Sequence, residues 1–366
     1  MKMNKIFFGV LAALALSLSF TSCSDDDDPK PVPVPEPDPS YTAFILNEGS
    51  WKLNNSTLTA FNWKDNTVLD TECVYSDING QSIGDVGQDL ILADNGYLYM
   101  SVFGSAYIAK LDETGKEICR ANLVDGELSE LGSPRYLVYD DGFVYASCYG
   151  NCVAKFNAAD LSYVGKVEVG NRPERLVIED DKIYCTSSCD ESYVADNRLA
   201  VIDLKSFDKA EFFTPMYNMD RIMEVEDRIF VQGYGSLYDY PWGEVNTTTG
   251  EFTQIGNASC WAEKDDVIYT VNGVTDWSTY ETTNYFASYN VETGKYTEGS
   301  FLVDAPAELS STSIYSMETN PYNDYFYVVT TDFATNGKVY VFDENFKYVT
   351  NFQTTGVNPK TFVFFY

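Results

Sequence analysis

Seven short, aromatic-rich strand cores recur along this chain, and the first of them lacks a neighbour that only the last residues can supply. Phe44-Ile45-Leu46, Leu98-Tyr99-Met100, Val144-Tyr145-Ala146, Ile183-Tyr184-Cys185, Ile229-Phe230-Val231, Ile268-Tyr269-Thr270 and Phe326-Tyr327-Val328 return at intervals of about 40 to 58 residues, the range of propeller blades. Five are preceded by tight-turn residues: Asp94-Asn95-Gly96, Asp140-Asp141-Gly142, Glu179-Asp180-Asp181, Glu226-Asp227 and Lys264-Asp265-Asp266. A third strand follows in most units, as in Val153–Asn157, Leu199–Asp203, Phe286–Asn290 and Lys338–Asp343, with period-two alternation and no helical period.

Each unit therefore predicts a four-stranded antiparallel blade, except that the chain enters the first unit at its second strand. The missing inner strand matches Pro359–Phe365, which parallels Pro134–Val138 and Pro173–Val177 at the openings of the third and fourth units. The expected fold is all-β, a seven-bladed propeller whose first blade is closed by the C-terminal strand. Closure also explains how so aromatic a tail avoids forming an exposed edge. A β-helix or a pair of sandwiches leaves the split first unit without a reason.

Ahead of the repeats, Lys2 and Lys5 precede an apolar run from Ile6 to Phe20, too short to span a bilayer, and Phe20-Thr21-Ser22-Cys23 fits a bacterial lipobox. Residues 1–22 are expected to be a lipoprotein signal peptide and Cys23 the lipidated residue. The acids Asp25–Asp28 resemble a surface-export tag, with a solvated charge run as the plain alternative. Prolines alternate from Pro29 to Pro39 and make residues 23–40 an extended tether, leaving residues 41–366 for one domain. The expected location is the outer face of an outer membrane, reached through the lipid.

The chain has 24 basic against 55 acidic residues, a formal net charge of −31, which argues against a nucleic-acid partner because phosphates need a basic face. It has no histidine, which removes Ser-His triads, His-ligated zinc and the commonest general base. Asp89, Glu174 and Asp220 begin inner strands and leave a carboxylate pair conceivable, but no nucleophile with its base is recognisable; binding without catalysis, and no resident metal, is the expectation. Seven cysteines remain beyond Cys23: Cys73, Cys119, Cys148, Cys152, Cys185, Cys189 and Cys260. Disulfides that stiffen loops and buried free thiols are both consistent with their spacing.

In a propeller, the loop after each second strand and the start of each inner strand share one rim of the central channel. The loops bring Trp51, Phe103, Tyr149, Tyr234, Trp277 and Phe333 to that rim, and the strand starts bring Asp89, Arg135, Glu174, Asp220, Ser259, Tyr315 and Lys360. Aromatic walls with mixed donors and acceptors suit a large ligand rich in amides or hydroxyls, although rings of this kind also pack between blades.

Phe44–Trp51 with its Asn47-Glu48-Gly49 core, Asn54–Leu58 and Asn79–Asp89 resemble the YncE-like propeller lipoproteins of Bacteroidetes, and within them the BtuG-like cobalamin-capture group. The resemblance spans nearly the whole of residues 41–366 and marks the fold group better than the ligand. It implies non-covalent binding of cobalamin or another corrinoid as a transported ligand and delivery to a TonB-dependent transporter of the BtuB type. Without histidine, capture would grip the corrinoid's amide periphery and not its cobalt. A glycan-capture lipoprotein of a polysaccharide uptake system and a protein-interaction propeller are the other two expectations.

Overall fold

The computed structural model describes residues 41–366 apart from 70, 236, 237, 280 and 366; the expected signal peptide, Cys23 and the tether lie outside the described residues. Among the described residues no helix is long and apolar enough to cross a membrane. Seven four-stranded antiparallel sheets form the ring of a propeller, and six are built from four consecutive strands. Their inner strands are Gly87–Leu92, Pro134–Asp140, Pro173–Glu179, Met219–Val225, Cys260–Lys264 and Ile314–Thr319.

The first blade is completed by Pro359–Phe364, which pairs antiparallel with Ala43–Asn47 in the register Ala43↔Phe364 and Phe44↔Val363. Period-two alternation sends Phe362 and Phe364 into one interblade core with Phe61, Tyr327 and Val341, while Val363 enters the next with Phe44, Leu46 and Met100. One strand thus seals two interfaces. Phe365 N–H donates to the Thr42 carbonyl at 2.7 Å, and the Trp63 indole N–H donates to the Phe365 carbonyl at 2.9 Å, holding the two ends of the domain together.

The acidic turns form as their composition demands. Asp180 and Asp181, Glu226 and Asp227, and Asp265 and Asp266 all take positive φ, which matches the twist of a two-residue hairpin. They lie together on the lower face, where inner strands end. The upper face collects the opposite ends: the starts of inner strands and the loops that follow second strands.

Among the described residues all seven cysteines are free thiols, with Cys119 and Cys189 half-buried and the other five buried, which decides between the two sequence expectations. Cys148 and Cys152 stand directly opposite each other across their hairpin, both buried, yet they pack as small apolar groups in the core between the second and third blades. The stiffness expected from disulfides comes instead from backbone hydrogen bonds between loops and strand starts.

Candidate functional site

The residue at or just before an inner strand's start is repeatedly left-handed: Val86, Gly132, Arg172, Asn218 and Asn358 all have positive φ. This twist turns the chain from the rim down into the channel. The loop after the second strand is then fastened to it, with Phe103 N–H donating to Val86 O at 2.8 Å, Tyr149 to Ser133 at 2.9 Å, Tyr234 to Asn218 at 3.0 Å and Glu48 to Asn358 at 2.9 Å. Glu48, Phe103, Tyr149 and Tyr234 are therefore equivalent positions around one ring.

A second device widens the choice of side chains. The register with the second strand shifts at the start of the inner strand in the second, third, fourth, fifth and seventh blades, between Gly87 and Asp89, Pro134 and Leu137, Pro173 and Leu176, Met219 and Arg221, and Ile314 and Ser316. Such a bulge re-aims successive residues that a regular strand would send to opposite faces. As a result Arg135 and Tyr136, Asp220 and Arg221, and Tyr315 and Ser316 line the same cavity, a channel mouth of about 220 Å³ completed by Glu48, Arg175, Tyr234 and Lys360.

Arg135 is the most constrained group at the mouth. Its Nε and Nη2 donate to Glu174 Oε2 at 2.9 and 2.6 Å, Nη1 donates to Gln88, and the guanidinium lies 4.9 Å from the Phe103 ring and 5.2 Å from that of Tyr149. Burial opposes its charge, but Glu174 and the surrounding tyrosine hydroxyls override this and hold its pKa well above the ordinary arginine value. Glu174 also accepts the Tyr149 hydroxyl at 2.6 Å, and Tyr149 is pushed above the usual phenol range first by burial and then by that carboxylate. The Tyr315 hydroxyl bonds Glu48 in the same way, again with burial as the leading cause of its raised pKa.

Six of the residues expected at the rim, Arg135, Asp220, Tyr234, Tyr315, Lys360 and, through Arg135, Glu174, meet at this mouth. From it an aromatic row climbs outward: Tyr149 contacts Phe103 with centroids 5.0 Å apart, Phe103 contacts Trp51 at 5.8 Å, and Trp51 is 57% exposed. On the other side Phe333, 58% exposed, leans on Tyr315 at 6.0 Å.

Three expected residues lie elsewhere. Trp277 sits 75% exposed at the tip of the long hairpin formed by Val267–Asp276 and Glu281–Asn290, and is not part of the mouth lining. The Ser259 hydroxyl donates to Val271 O at 3.1 Å and accepts Gly273 N–H at 2.9 Å, so it fixes that blade's own register. Asp89 is buried and accepts Leu137 N–H at 2.9 Å across the blade boundary; burial raises its pKa, opposed by Arg175 and Lys360.

Glu48, Tyr136, Arg175 and Arg221 were not among the residues expected at the rim. Glu48 was legible as the residue after a second strand, aligned with Phe103 and Tyr149. The other three follow a residue that was singled out, and strict alternation points them away; the bulge alone brings them in. Two of the larger cavities lie away from the upper mouth. One of about 660 Å³ opens on the lower face between Glu263, Glu318 and Lys360, and one of about 1080 Å³ lies beside the long hairpin, lined by Tyr285, Phe286, Tyr296 and Glu298. Glu179, Glu224 and Asp227 place carboxylate oxygens within 4.8 Å of one another on the lower rim, where acidic turns crowd together.

No family model matches the chain, and no curated protein matches it. Solved structures do. A quinonprotein alcohol dehydrogenase-like protein from Bacteroides thetaiotaomicron is 14% identical, with 89% of this chain and 78% of that one covered at a TM-score of 0.61. Hydrazine synthase from Kuenenia stuttgartiensis is 15% identical over 71% of this chain and 77% of its own, at 0.56. BamB from Moraxella catarrhalis is 11% identical over 88% and 85%, at 0.52. At these identities the likeness concerns the propeller fold alone, which the three share while differing in what they do.

Proposed function

We propose that this propeller is a surface lipoprotein, anchored through Cys23, that captures a corrinoid non-covalently on its upper face and passes it to a TonB-dependent transporter of the BtuB type. The observation that carries the reading is the juxtaposition of an outward aromatic row, Trp51-Phe103-Tyr149, with a mouth of fixed donors and acceptors. Flat rings supply area against a macrocycle and its nucleotide base, while Arg135, Glu48, Asp220 and the tyrosine hydroxyls meet amide arms that both donate and accept. The mouth itself is small, so the ligand lies across the face and sends only side arms into the channel.

Binding without turnover is the reading that the same set supports. Arg135 and Glu174 are engaged with each other and with Gln88 and Tyr149, and the chain has no histidine to serve as a neutral base. The test is a spectroscopic titration with cyanocobalamin, using dicyanocobinamide as competitor. Stoichiometric binding is expected, and absence of binding at micromolar ligand overturns the reading.

A second reading is favoured by the 1080 Å³ cleft, where Tyr285 and Tyr296 stand beside Asn257 and Glu298. Aromatic faces next to amide and carboxylate acceptors suit a hydroxyl-rich glycan. Glycan binding without corrinoid binding would select it.

A further inference from the structure

Arg175, Arg221 and Lys360 come from three different blades and line both the upper mouth and the lower funnel of the channel, together with Ser316. They form its waist. Around them stands Tyr136, buried, with Arg175 4.3 Å and Lys360 5.2 Å from its ring. In a chain with a formal charge of −31, this is an unusual place for cations to gather.

Four of the other five arginines show what a guanidinium ordinarily does here, while Arg172 meets the Cys189 thiol and the rings of Tyr149 and Tyr193. Arg120, Arg135, Arg198 and Arg228 each hold a carboxylate within 2.6 Å. Arg175 has no carboxylate within 4.0 Å among the described residues, and its buried Nε has no hydrogen-bond partner. Arg221 reaches only its own neighbour Asp220, at 3.7 Å, and Lys360 only Glu48, at 3.6 Å, both beyond hydrogen-bonding distance. Of the nearby acids, Asp89 holds Leu137 N–H and Glu48 accepts from Tyr315, while Asp220 shares the mouth with Arg221 and Glu318 lies in the lower funnel within the field of Arg175. They balance the charge of the cations at a distance and leave the N–H donors unfilled. Two guanidinium groups and an ammonium then line one small polar cavity without a hydrogen bond to a carboxylate among the described residues.

We infer that the waist of the channel is a binding site for a compact oxyanion carrying several acceptor oxygens, of the phosphate or polycarboxylate class, held by Arg175, Arg221 and Lys360. Planar guanidinium groups match such oxygens in pairs, and charge-assisted bonds in a confined cavity are stronger than those at an open surface. The site lies at the bottom of the mouth above which the aromatic row stands, and a titration run without corrinoid tests it apart from what that row binds.

The experiment uses the purified protein at near-neutral pH, titrated calorimetrically with inorganic phosphate, sulfate and the tricarboxylate tricarballylate, each against chloride at matched ionic strength. At least one of the three is expected to bind saturably below millimolar concentration, and comparison of the phosphate and tricarballylate arms separates the two oxyanion classes. R221Q and K360Q are each expected to weaken that binding roughly tenfold or more, as loss of a charge-assisted hydrogen bond implies, while K205Q on the outer surface leaves it unchanged. Absence of saturable binding by all three probes to the unaltered protein overturns the inference whatever the variants do. So does binding that R221Q and K360Q, with cooperative unfolding retained, leave unaffected.

Discussion

Replacing Glu174 by alanine removes the acceptor that organises the channel mouth, and the structure fixes what is then stranded. Arg135 loses bonds of 2.9 and 2.6 Å and retains only Gln88 and the faces of Phe103, Tyr149 and Tyr136. At 2.6 Å and an effective dielectric of about 20 the direct attraction is about 6 kcal/mol, most of it offset by the desolvation of both groups in the intact pair. Removing one partner leaves the cost of desolvating the other uncompensated, so Glu174→Ala is expected to lose about 3–5 kcal/mol. Arg135→Met combined with Glu174→Leu removes both charges and is expected to lose less than the single change. Urea unfolding, with equal slopes required across the series, measures this. A loss below about 1 kcal/mol for the single variant, or a double variant at least as unstable as the single one, would refute the account of the mouth as an ion-pair frame.

The closing strand makes Phe364→Ala costly: it empties a core shared with Phe61 and Tyr327, with an expected loss of about 3–5 kcal/mol by the same unfolding assay, and a loss under 1 kcal/mol would show that Pro359–Phe364 does not seal the ring. Glu318, in the lower funnel, is raised from 4.5 to about 7, chiefly by burial. Its folded pKa lies above its unfolded one, so between those values the folded state binds more protons and stability falls as pH rises; above pH 7 the whole penalty is present. The shift corresponds to about 3 kcal/mol at full burial and about 1–2 for a side chain reaching channel water, so Glu318→Gln should be more stable than the parent at pH 8 and lose that advantage near pH 4.5. Trp51→Ala, at an exposed site, should weaken corrinoid binding about tenfold while leaving the unfolding midpoint unchanged, and unchanged affinity would remove Trp51 from the proposed face. Cys148 and Cys152 should react with a thiol reagent only after denaturation, and rapid labelling of the native protein would contradict their burial.

Much of this molecule was legible in one dimension because its determinants are local. The turns Asp180-Asp181 and Asp265-Asp266 need left-handed backbone wherever they occur, and strand alternation follows from the pleat; both can be read without knowing what packs against them. Even the closure by Pro359–Phe364 was readable, since a missing inner strand at one end and a spare one at the other have a single economical solution. The upper rim followed from strand direction, and it collected Arg135, Tyr149, Glu174, Asp220, Tyr234, Tyr315 and Lys360 as expected positions.

What sequence alone could not decide were the interactions set by bulges and by neighbours distant in the chain. A one-residue shift in register reverses which side chains face the channel, and the shifts beside Pro173 and Met219 brought Arg175 and Arg221 into it. Pairing is likewise a three-dimensional outcome: Arg135 and Glu174 stand 39 residues apart and bond, whereas Arg175, adjacent to the same glutamate in sequence, does not. Local chain chemistry therefore determined the blades, their number and their closure, while tertiary structure decided which charges satisfy one another and which donors are left facing the channel, because Coulomb and hydrogen-bond energies depend on separation in space and not along the chain.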